Sequence, residues 1–291
     1  MAGEVCTAGV DTGFVDLGPI KSAFLGVVQG ITELMPISST AHMRIVPAVL
    51  GWRDPGSAYS AAMQLAALAA VLTYFWRDVA QLAGRGASAL AQGRFGDRHL
   101  RLCLWIVLAT FPIVLGGALL SKTLNSCASP LRGVAVIGWA CLGMAALLAL
   151  AEVFARHQRR LEHVTFIDAL AVGVAQAGAL IPGVSRSGST LTAALALGFK
   201  REEAARFSFL LGIPAIAGAG ALEIWKLHKA HLSAHGWEVL TVGLAAASVS
   251  AFVAIWGLMR IMERFATWPF VAYRALLGAA LLAGAYTGWI R

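Results

Sequence analysis

The chain has 291 residues, of which 58% are hydrophobic and only 13% are charged, and its mean hydropathy is +0.73. A soluble domain carries about a quarter charged residues, so this composition excludes a disordered chain, a DNA-binding domain and an ordinary cytosolic enzyme. The net charge of +8 does not indicate nucleic acid here, because basic residues collect in the cytoplasmic loops of membrane proteins. The sequence predicts an all-α polytopic membrane protein.

Apolar segments recur along the whole chain, and two of them are interrupted by Pro, Gly, Ser and charged residues. These two regions, 17–52 and 166–199, each have the pattern of two half-length helices joined by a loop. A run of about 20 apolar residues spans a bilayer. The uninterrupted runs predict six transmembrane helices, at 55–76, 102–121, 133–151, 207–222, 239–259 and 275–290.

The basic residues predict the orientation of these helices. If each broken region enters and leaves the membrane by the same face, thirteen basic residues lie in loops on one side and six in the alternating loops. The richer side should be cytoplasmic, and both termini are then extracytoplasmic. A full crossing by each broken region would divide the basic loops between the two faces, so the charge pattern favours re-entrant segments.

The two broken regions also resemble each other at a constant offset of 147 positions. The segment Gly26–Gln29 matches Gly173–Gln176, and the same offset aligns Ser38 with Ser185. Chance similarity between two stretches rich in Ala and Gly is the alternative, but one offset that includes polar residues favours duplication.

Duplication predicts a single membrane domain, 1–291, built from the repeats 17–155 and 166–291. Each repeat has one re-entrant segment and three spans. An odd number of crossings inverts the second copy, and in inverted repeats the broken segments meet near the midplane and form the functional site. The two loops are therefore the first place to look for chemistry.

The first loop carries polar residues at predicted membrane depth. Gln29 and Glu33 are four residues apart and share one face of a helix, which Pro36 should end. Three hydroxyls and a histidine follow the break: Ser38, Ser39, Thr40 and His42.

The second loop contributes a cation, and hydroxyls and glycines surround it. A charge at the centre of a membrane costs about 3 kcal/mol on insertion scales, so Arg186 needs a partner. A buried ion pair with Glu33 that joins the loops is one interpretation, but it does not explain the neighbouring residues. Loop amides, helix N-termini and an Arg fork hold phosphate, so a better interpretation is an oxyanion pocket that includes Gly183, Ser185, Ser187, Gly188 and Thr190.

The remaining groups indicate a reaction. Glu33 is either a ligand for a divalent metal or a base, because Mg²⁺ and Ca²⁺ favour carboxylate and phosphate oxygens. Ser39 and His42 are a candidate nucleophile and proton carrier. An anion cradle, a hard-metal ligand and a nucleophile together predict phosphoryl transfer from a phosphorylated lipid.

In the stretches Gln29–His42 and Pro182–Thr190 the sequence resembles the bacterial undecaprenyl-pyrophosphate phosphatases, the bacitracin-resistance proteins. The resemblance extends from about residue 21 to the C-terminus. It implies hydrolysis of the C55 lipid pyrophosphate to the monophosphate carrier used in peptidoglycan synthesis, with a divalent metal, Mg²⁺ or Ca²⁺. It also implies a bacterial inner-membrane location and an active site that opens to the periplasmic side.

Residue by residue, the resemblance places the family's metal element on Gln29 and Glu33, its serine nucleophile on Ser39 and its histidine on His42. Its phosphate-binding arginine is Arg186, among the expected phosphate contacts Ser38, Thr40, Gly183, Ser185, Ser187 and Thr190. Position 29 is Gln rather than Glu, which puts a metal site with two carboxylates in doubt. Ala41 replaces the glycine that usually precedes the histidine.

These assignments lead to a hypothesis with open alternatives. Arg186 and a metal on Glu33 hold the diphosphate, Ser39 or a water molecule attacks the terminal phosphorus, and His42 handles the proton. The expected partners are a polyprenyl diphosphate lipid and membrane lipids, and a homodimer is left open. The alternative function is an inverted-repeat transporter or flippase of the lipid carrier or of another phosphorylated compound.

Overall fold

The computed structural model describes residues 6–7, 10–120, 131, 133–288 and 290, and these residues are mainly helical. Besides a pair of two-residue strands, β1 (Cys6–Thr7) and β2 (Val10–Asp11), and short 3-10 turns, the described chain forms α-helices. In chain order they are α1 (Gly18–Leu34), α2 (Ser39–Val49), α3 (Gly56–Tyr74), α4 (Trp76–Ala91), α5 (Arg98–Leu119), α6 (Val134–Phe154), α7 (Phe166–Ala177), α8 (Arg186–Ala196), α9 (Arg201–Lys229), α10 (Ala234–Arg264) and α11 (Trp268–Thr287).

The protein is an all-α, multi-pass membrane protein. Within the described ranges, seven helices are long and apolar enough to cross a membrane. Six of them, α3, α5, α6, α9, α10 and α11, coincide with the six predicted spans. The seventh, Gly13–Leu34, includes α1 and overlaps the first predicted broken region, where the sequence predicts a helix of half that length.

The bounds of several spans differ from the prediction. The helix α9 runs from Arg201 to Lys229, against a predicted 207–222, and α11 begins at Trp268 rather than at residue 275. The predicted runs stopped at charged residues, whereas helices continue through charges that reach water at their ends or find partners inside. The predicted spans 102–121 and 275–290 also include residues 121 and 289, which lie outside the described ranges.

The first broken region consists of α1 and α2 on either side of Pro36. The two ends of this region lie close together, as the ion pair between Arg53 and Asp16 shows. The Trp52 ring also lies edge-on to Phe24 of α1, with 5.6 Å between the ring centroids.

The second broken region has the same arrangement in α7 and α8. It begins with a capping box, in which the Thr165 and Asp168 side chains each accept from the other's backbone N–H. Where the region ends, the Lys200 amide donates to the Arg159 carbonyl at 2.9 Å and the Arg159 amide donates to the Gly198 carbonyl at 2.9 Å. Re-entrant segments would have such contacts, although re-entrance itself stays a prediction.

The two halves of the chain pack against each other. Each of the most extensive helix–helix interfaces joins a helix of residues 17–155 to one of residues 166–291. The pairs are α1 with α10, α6 with α11, α5 with α7, and α3 with both α9 and α10. Glycines allow two of them to approach closely: a Cβ on Gly26 would lie 2.3 Å from the Gly243 carbonyl oxygen, and one on Gly173 would lie 2.5 Å from that of Ala109. Gly26 and Gly173 are the positions that the 147-residue offset aligns, and the duplication stays a prediction that this pattern supports.

Candidate active site at the junction of the two loops

Two short helices, α2 and α8, begin where the broken loops meet. The residue before each helix is a serine with left-handed backbone, Ser38 with φ +71° and Ser185 with φ +69°. Such a conformation is uncommon outside glycine and costs about 1–3 kcal/mol. Each serine side chain caps its helix, as Ser38 Oγ accepts from the Ala41 amide at 3.4 Å and Ser185 Oγ from the Gly188 amide at 3.2 Å. The strained turns thus place two helix N-termini at the same junction.

Glu33 is the centre of the polar cluster there, and its side chain is buried. Its Oε2 accepts hydrogen bonds from Gln29 Nε2 at 2.9 Å and from Ser39 Oγ at 2.6 Å. Its Oε1 accepts from Arg186 Nη2 at 3.2 Å. The structure therefore brings four of the predicted site residues into direct contact, although Arg186 is 153 positions from Glu33 in the sequence.

The Arg186 guanidinium has more donors than Glu33 uses. Its Nε is buried and has no hydrogen-bond partner among the described atoms. Its Nη1 lies against Gly212 of α9, where a Cβ would be only 2.2 Å away. A guanidinium with a spare donor beside a serine hydroxyl is suited to a phosphate group.

Most of the predicted phosphate-binding hydroxyls bond to the protein itself. Ser187 Oγ donates to the Glu33 carbonyl at 3.0 Å and to the Met35 carbonyl at 3.1 Å. Thr190 Oγ1 donates to the Arg186 carbonyl at 2.8 Å. These side chains hold the two loops together, and Ser38 and Ser185 serve as caps.

Thr40 and Gly183 form a further link between the loops. The Gly183 amide donates to Thr40 Oγ1 at 3.0 Å. Position 183 requires glycine, because its φ is +97° and a Cβ would lie 2.7 Å from the Ile137 carbonyl oxygen. The amide that the sequence assigned to phosphate is thus bonded to Thr40 in this structure.

His42 faces away from Ser39, unlike the sequence hypothesis. Its Nδ1 bonds to the Ser38 carbonyl at 2.7 Å, and its Nε2 to the Tyr273 hydroxyl at 2.6 Å. Ser39 is the first residue of α2, so its side chain points back toward the loop and Glu33, whereas His42 lies one turn further into the helix. Glu33, and not His42, is the group in contact with the Ser39 hydroxyl.

Two residues of α11 at this junction were not assigned from the sequence. Arg274 is 1% exposed and donates to carbonyls of both loops: Pro36 at 3.1 Å, Gly183 at 2.9 Å and Val184 at 3.0 Å. The predicted span began just after Arg274, so its charge was placed near the span rather than inside it. A lone arginine within an apolar stretch is a sequence feature that could have identified Arg274. No sequence feature indicates that Tyr273 is the partner of His42.

The cluster fits a divalent ion that takes one or two ligands from the protein and the others from water and substrate phosphate. Glu33 supplies a carboxylate, and Gln29 Oε1 is buried without a hydrogen-bond partner among the described atoms. In the described ranges, no three His, Cys, Asp or Glu side chains are grouped so that they could hold a metal ion by themselves. Mg²⁺ in such sites is held by one or two carboxylates together with waters and substrate phosphates.

Two openings lie on either side of α2. One is an apolar groove of about 470 Å³ between α1, α2 and α11, with His42 and Tyr273 among its lining residues. The other is a cavity of about 310 Å³, called the Arg44 cavity below, whose lining combines polar side chains such as Thr40, Arg44 and Asp54 with apolar ones such as Leu180 and Pro182.

The chain is similar to known proteins over most of its length. The family model described as "Bacitracin resistance protein BacA" matches residues 22–280. The chain is 69% identical over 263 residues to undecaprenyl-diphosphatase 2 of Mesorhizobium japonicum, which covers 90% of this chain and 100% of the relative. It is 48% identical over 266 residues to undecaprenyl-diphosphatase of Gloeobacter violaceus, covering 91% of each chain. A third undecaprenyl-diphosphatase, from Trichormus variabilis, is 44% identical over 280 residues, which are 96% of this chain and 88% of the relative.

Proposed function

The chain belongs to the BacA family of bacitracin resistance proteins, and we propose that it hydrolyses undecaprenyl diphosphate to undecaprenyl phosphate and inorganic phosphate. Its relatives carry the name of that hydrolase, which favours an enzyme over a transporter. The observation that carries the proposal is the contact of Glu33 with both Ser39 and Arg186. Turnover would regenerate the lipid carrier for peptidoglycan synthesis.

The residues support the following chemistry. Arg186 and the N-termini of α2 and α8 hold the terminal phosphate and stabilise the charge that develops on it. Ser39 Oγ, or a water beside it, attacks the terminal phosphorus, and Glu33 accepts the proton. The anhydride P–O bond breaks and undecaprenyl phosphate leaves. If Ser39 attacks, water then cleaves the phosphoserine and returns the free hydroxyl.

A divalent ion is part of the proposal. Gln29 Oε1 and Glu33 would hold Mg²⁺ or Ca²⁺, and the ion would neutralise phosphate charge during the reaction. Gln29 supports this assignment because its oxygen is buried without a partner among the described atoms.

The openings support an assignment of the substrate's two ends. The prenyl chain would lie in the apolar groove beside His42 and Tyr273, and the diphosphate would reach inward to Ser39. The charge pattern supports extracytoplasmic termini and re-entrant broken regions. Membership of the family supports a location in the bacterial inner membrane, with the site open to the periplasm. Homodimerisation stays a prediction.

The test is phosphate release from undecaprenyl diphosphate by the purified protein in detergent. We expect release of inorganic phosphate that depends on a divalent metal. A protein that only moves the lipid between leaflets of sealed vesicles, without releasing phosphate, would establish the transporter instead.

A further inference from the structure

The helix α2 separates two openings, and among their described lining residues only those of the Arg44 cavity include Arg and Asp. Val46 and His42 line the apolar groove. Thr40, Met43 and Arg44 line the Arg44 cavity on the other side of the same helix. Ser39, the candidate nucleophile, is the first residue of α2. It therefore lies at the end of the helix that separates the two openings.

The Arg44 cavity reaches the junction of the two loops. Thr40 and Pro182, one residue from each loop motif, are part of its lining, and Thr40 also accepts the hydrogen bond of the Gly183 amide. Further out, the lining carries hydroxyls and an amide on one side of α3: Ser57, Ser60 and Gln64.

Arg44 supplies the cavity's positive charge and is held in position by a carboxylate. It is the sole Lys or Arg in the described lining. Its guanidinium forms an ion pair with Asp54, and Asp54 is itself anchored because its Oδ1 accepts from the Gly56 amide at 2.8 Å. The Arg44 side chain is 28% exposed, so it faces the cavity while the ion pair holds it.

We propose that the Arg44 cavity is an exit site for inorganic phosphate, with Arg44 as its binding residue. The inference rests on the proposed function, in which the products are a lipid phosphate and a small anion. A phosphate ion cannot leave through the apolar groove at low cost, because burying a charge without partners is expensive. The cavity offers hydroxyls and a guanidinium, and Asp54 competes with phosphate for that guanidinium. The competition keeps binding weak, as release requires.

The experiment uses inorganic phosphate as the probe and two neighbouring arginines as a matched pair. Phosphate inhibition of undecaprenyl diphosphate hydrolysis is measured for Arg44→Ala and for Arg53→Ala, since Arg53 pairs with Asp16 and does not line the cavity. We expect the inhibition constant to rise about fivefold or more in Arg44→Ala and to stay within twofold of wild type in Arg53→Ala.

Asp54→Asn distinguishes phosphate binding from a structural role of the ion pair. Both Asp54→Asn and Arg44→Ala break the pair, so a structural role would shift phosphate inhibition in the same direction. The proposal predicts opposite directions, with Asp54→Asn lowering the inhibition constant about threefold. Equal shifts in both variants, or an unchanged constant in Arg44→Ala, would overturn it.

Direct binding separates this proposal from the proposed function. Phosphate-dependent thermal stabilisation is measured in the Arg186→Ala background, where the candidate catalytic site has lost its cation. We expect stabilisation that disappears when Arg44→Ala is added. Absence of stabilisation in Arg186→Ala would refute phosphate binding in this cavity. Failure of wild type to hydrolyse the lipid would refute the proposed function and, with it, the role of the cavity in product exit.

Discussion

The two broken loops have one backbone plan and different chemistry. Each turns through a serine with φ near +70°, Ser38 and Ser185, into a helix of 11 residues. The first residue of that helix is Ser39 in one loop and Arg186 in the other. A shared frame therefore presents a nucleophile from one side and a cation from the other.

The difference extends along both loops. At the positions that the 147-residue offset aligns, Glu33 corresponds to Leu180 and His42 to Ser189. The first loop holds the carboxylate and the groove histidine, while the second supplies the guanidinium. A pseudosymmetric scaffold can therefore hold an asymmetric site. Small residues and helix caps determine the shared backbone, whereas a few other side chains, such as Glu33 and His42, determine the chemistry.

The largest effect is expected from removal of the cation of the second loop. Arg186→Ala should lower kcat by about 10³-fold or more, because it removes charge stabilisation from the transition state and leaves the buried Glu33 unpaired. Steady-state phosphate release measures this, and Arg186→Lys should recover part of it. If Arg186→Ala changes only thermal stability, the Arg186–Glu33 contact is merely an ion pair that joins the loops.

Removal of the first loop's hydroxyl decides which group attacks. Ser39→Ala should lower kcat by about 10²–10³-fold if the serine forms a covalent intermediate, and the exposed Ser88→Ala on α4 is the control. Turnover close to wild type in Ser39→Ala would assign the attack to water. Trapping of a phosphorylated Ser39 at low pH would support the serine independently.

The two equivalent glutamines, Gln29 and Gln176, test the metal assignment. Both are buried and leave an oxygen without a partner among the described atoms, but only Gln29 contacts Glu33. Chelation with EDTA should abolish activity, and added Mg²⁺ or Ca²⁺ should restore it. Gln29→Ala should raise the metal concentration for half-maximal activity about tenfold and Gln176→Ala should not; equal shifts would contradict the assignment.

The two apolar grooves test where the lipid chain lies. Val46 lines the groove beside α2, and Ala193, its equivalent at the same offset, lines one of about 590 Å³ beside α8. Val46→Trp should raise KM for undecaprenyl diphosphate about tenfold and leave a short-chain diphosphate nearly unaffected. Ala193→Trp is the matched control. An equal or larger increase in KM for this variant would indicate that the prenyl chain binds in the second groove.

The smallest effect is expected at the entrance of the second loop. Burial acts to raise the pKa of Asp168, but hydrogen bonds from Arg159 and Thr165 lower it by more, so its pKa lies below the ordinary value. The stability from this ionised carboxyl is therefore present above about pH 4 and is lost as the pH falls through the lowered pKa. Asp168→Asn should cost about 1–2 kcal/mol in the free energy of unfolding and should reduce this pH dependence, as measured by thermal unfolding from pH 3 to 7.

Much of this molecule could be predicted from the sequence because membranes restrict what a sequence can do. Long apolar runs have few alternatives to helices in a bilayer, so the sequence predicts six of the seven long apolar helices of the described residues, with errors at their charged ends. Glu33 and Arg186 were conspicuous because charge is scarce in this chain. Arg274 is not among the predicted site residues because the uncharged run begins after it, at residue 275, whereas the helix that buries it begins at Trp268.

The sequence by itself determined the class of protein, the two loops and the residue types of the site, because hydropathy and motif residues are local properties. Only the tertiary structure decided which groups meet. It places Glu33 rather than His42 on Ser39, turns His42 toward Tyr273 and uses Arg274 to join the loops. These contacts depend on the direction of each side chain at a helix end and on residues far apart in the chain, and no spacing rule encodes either.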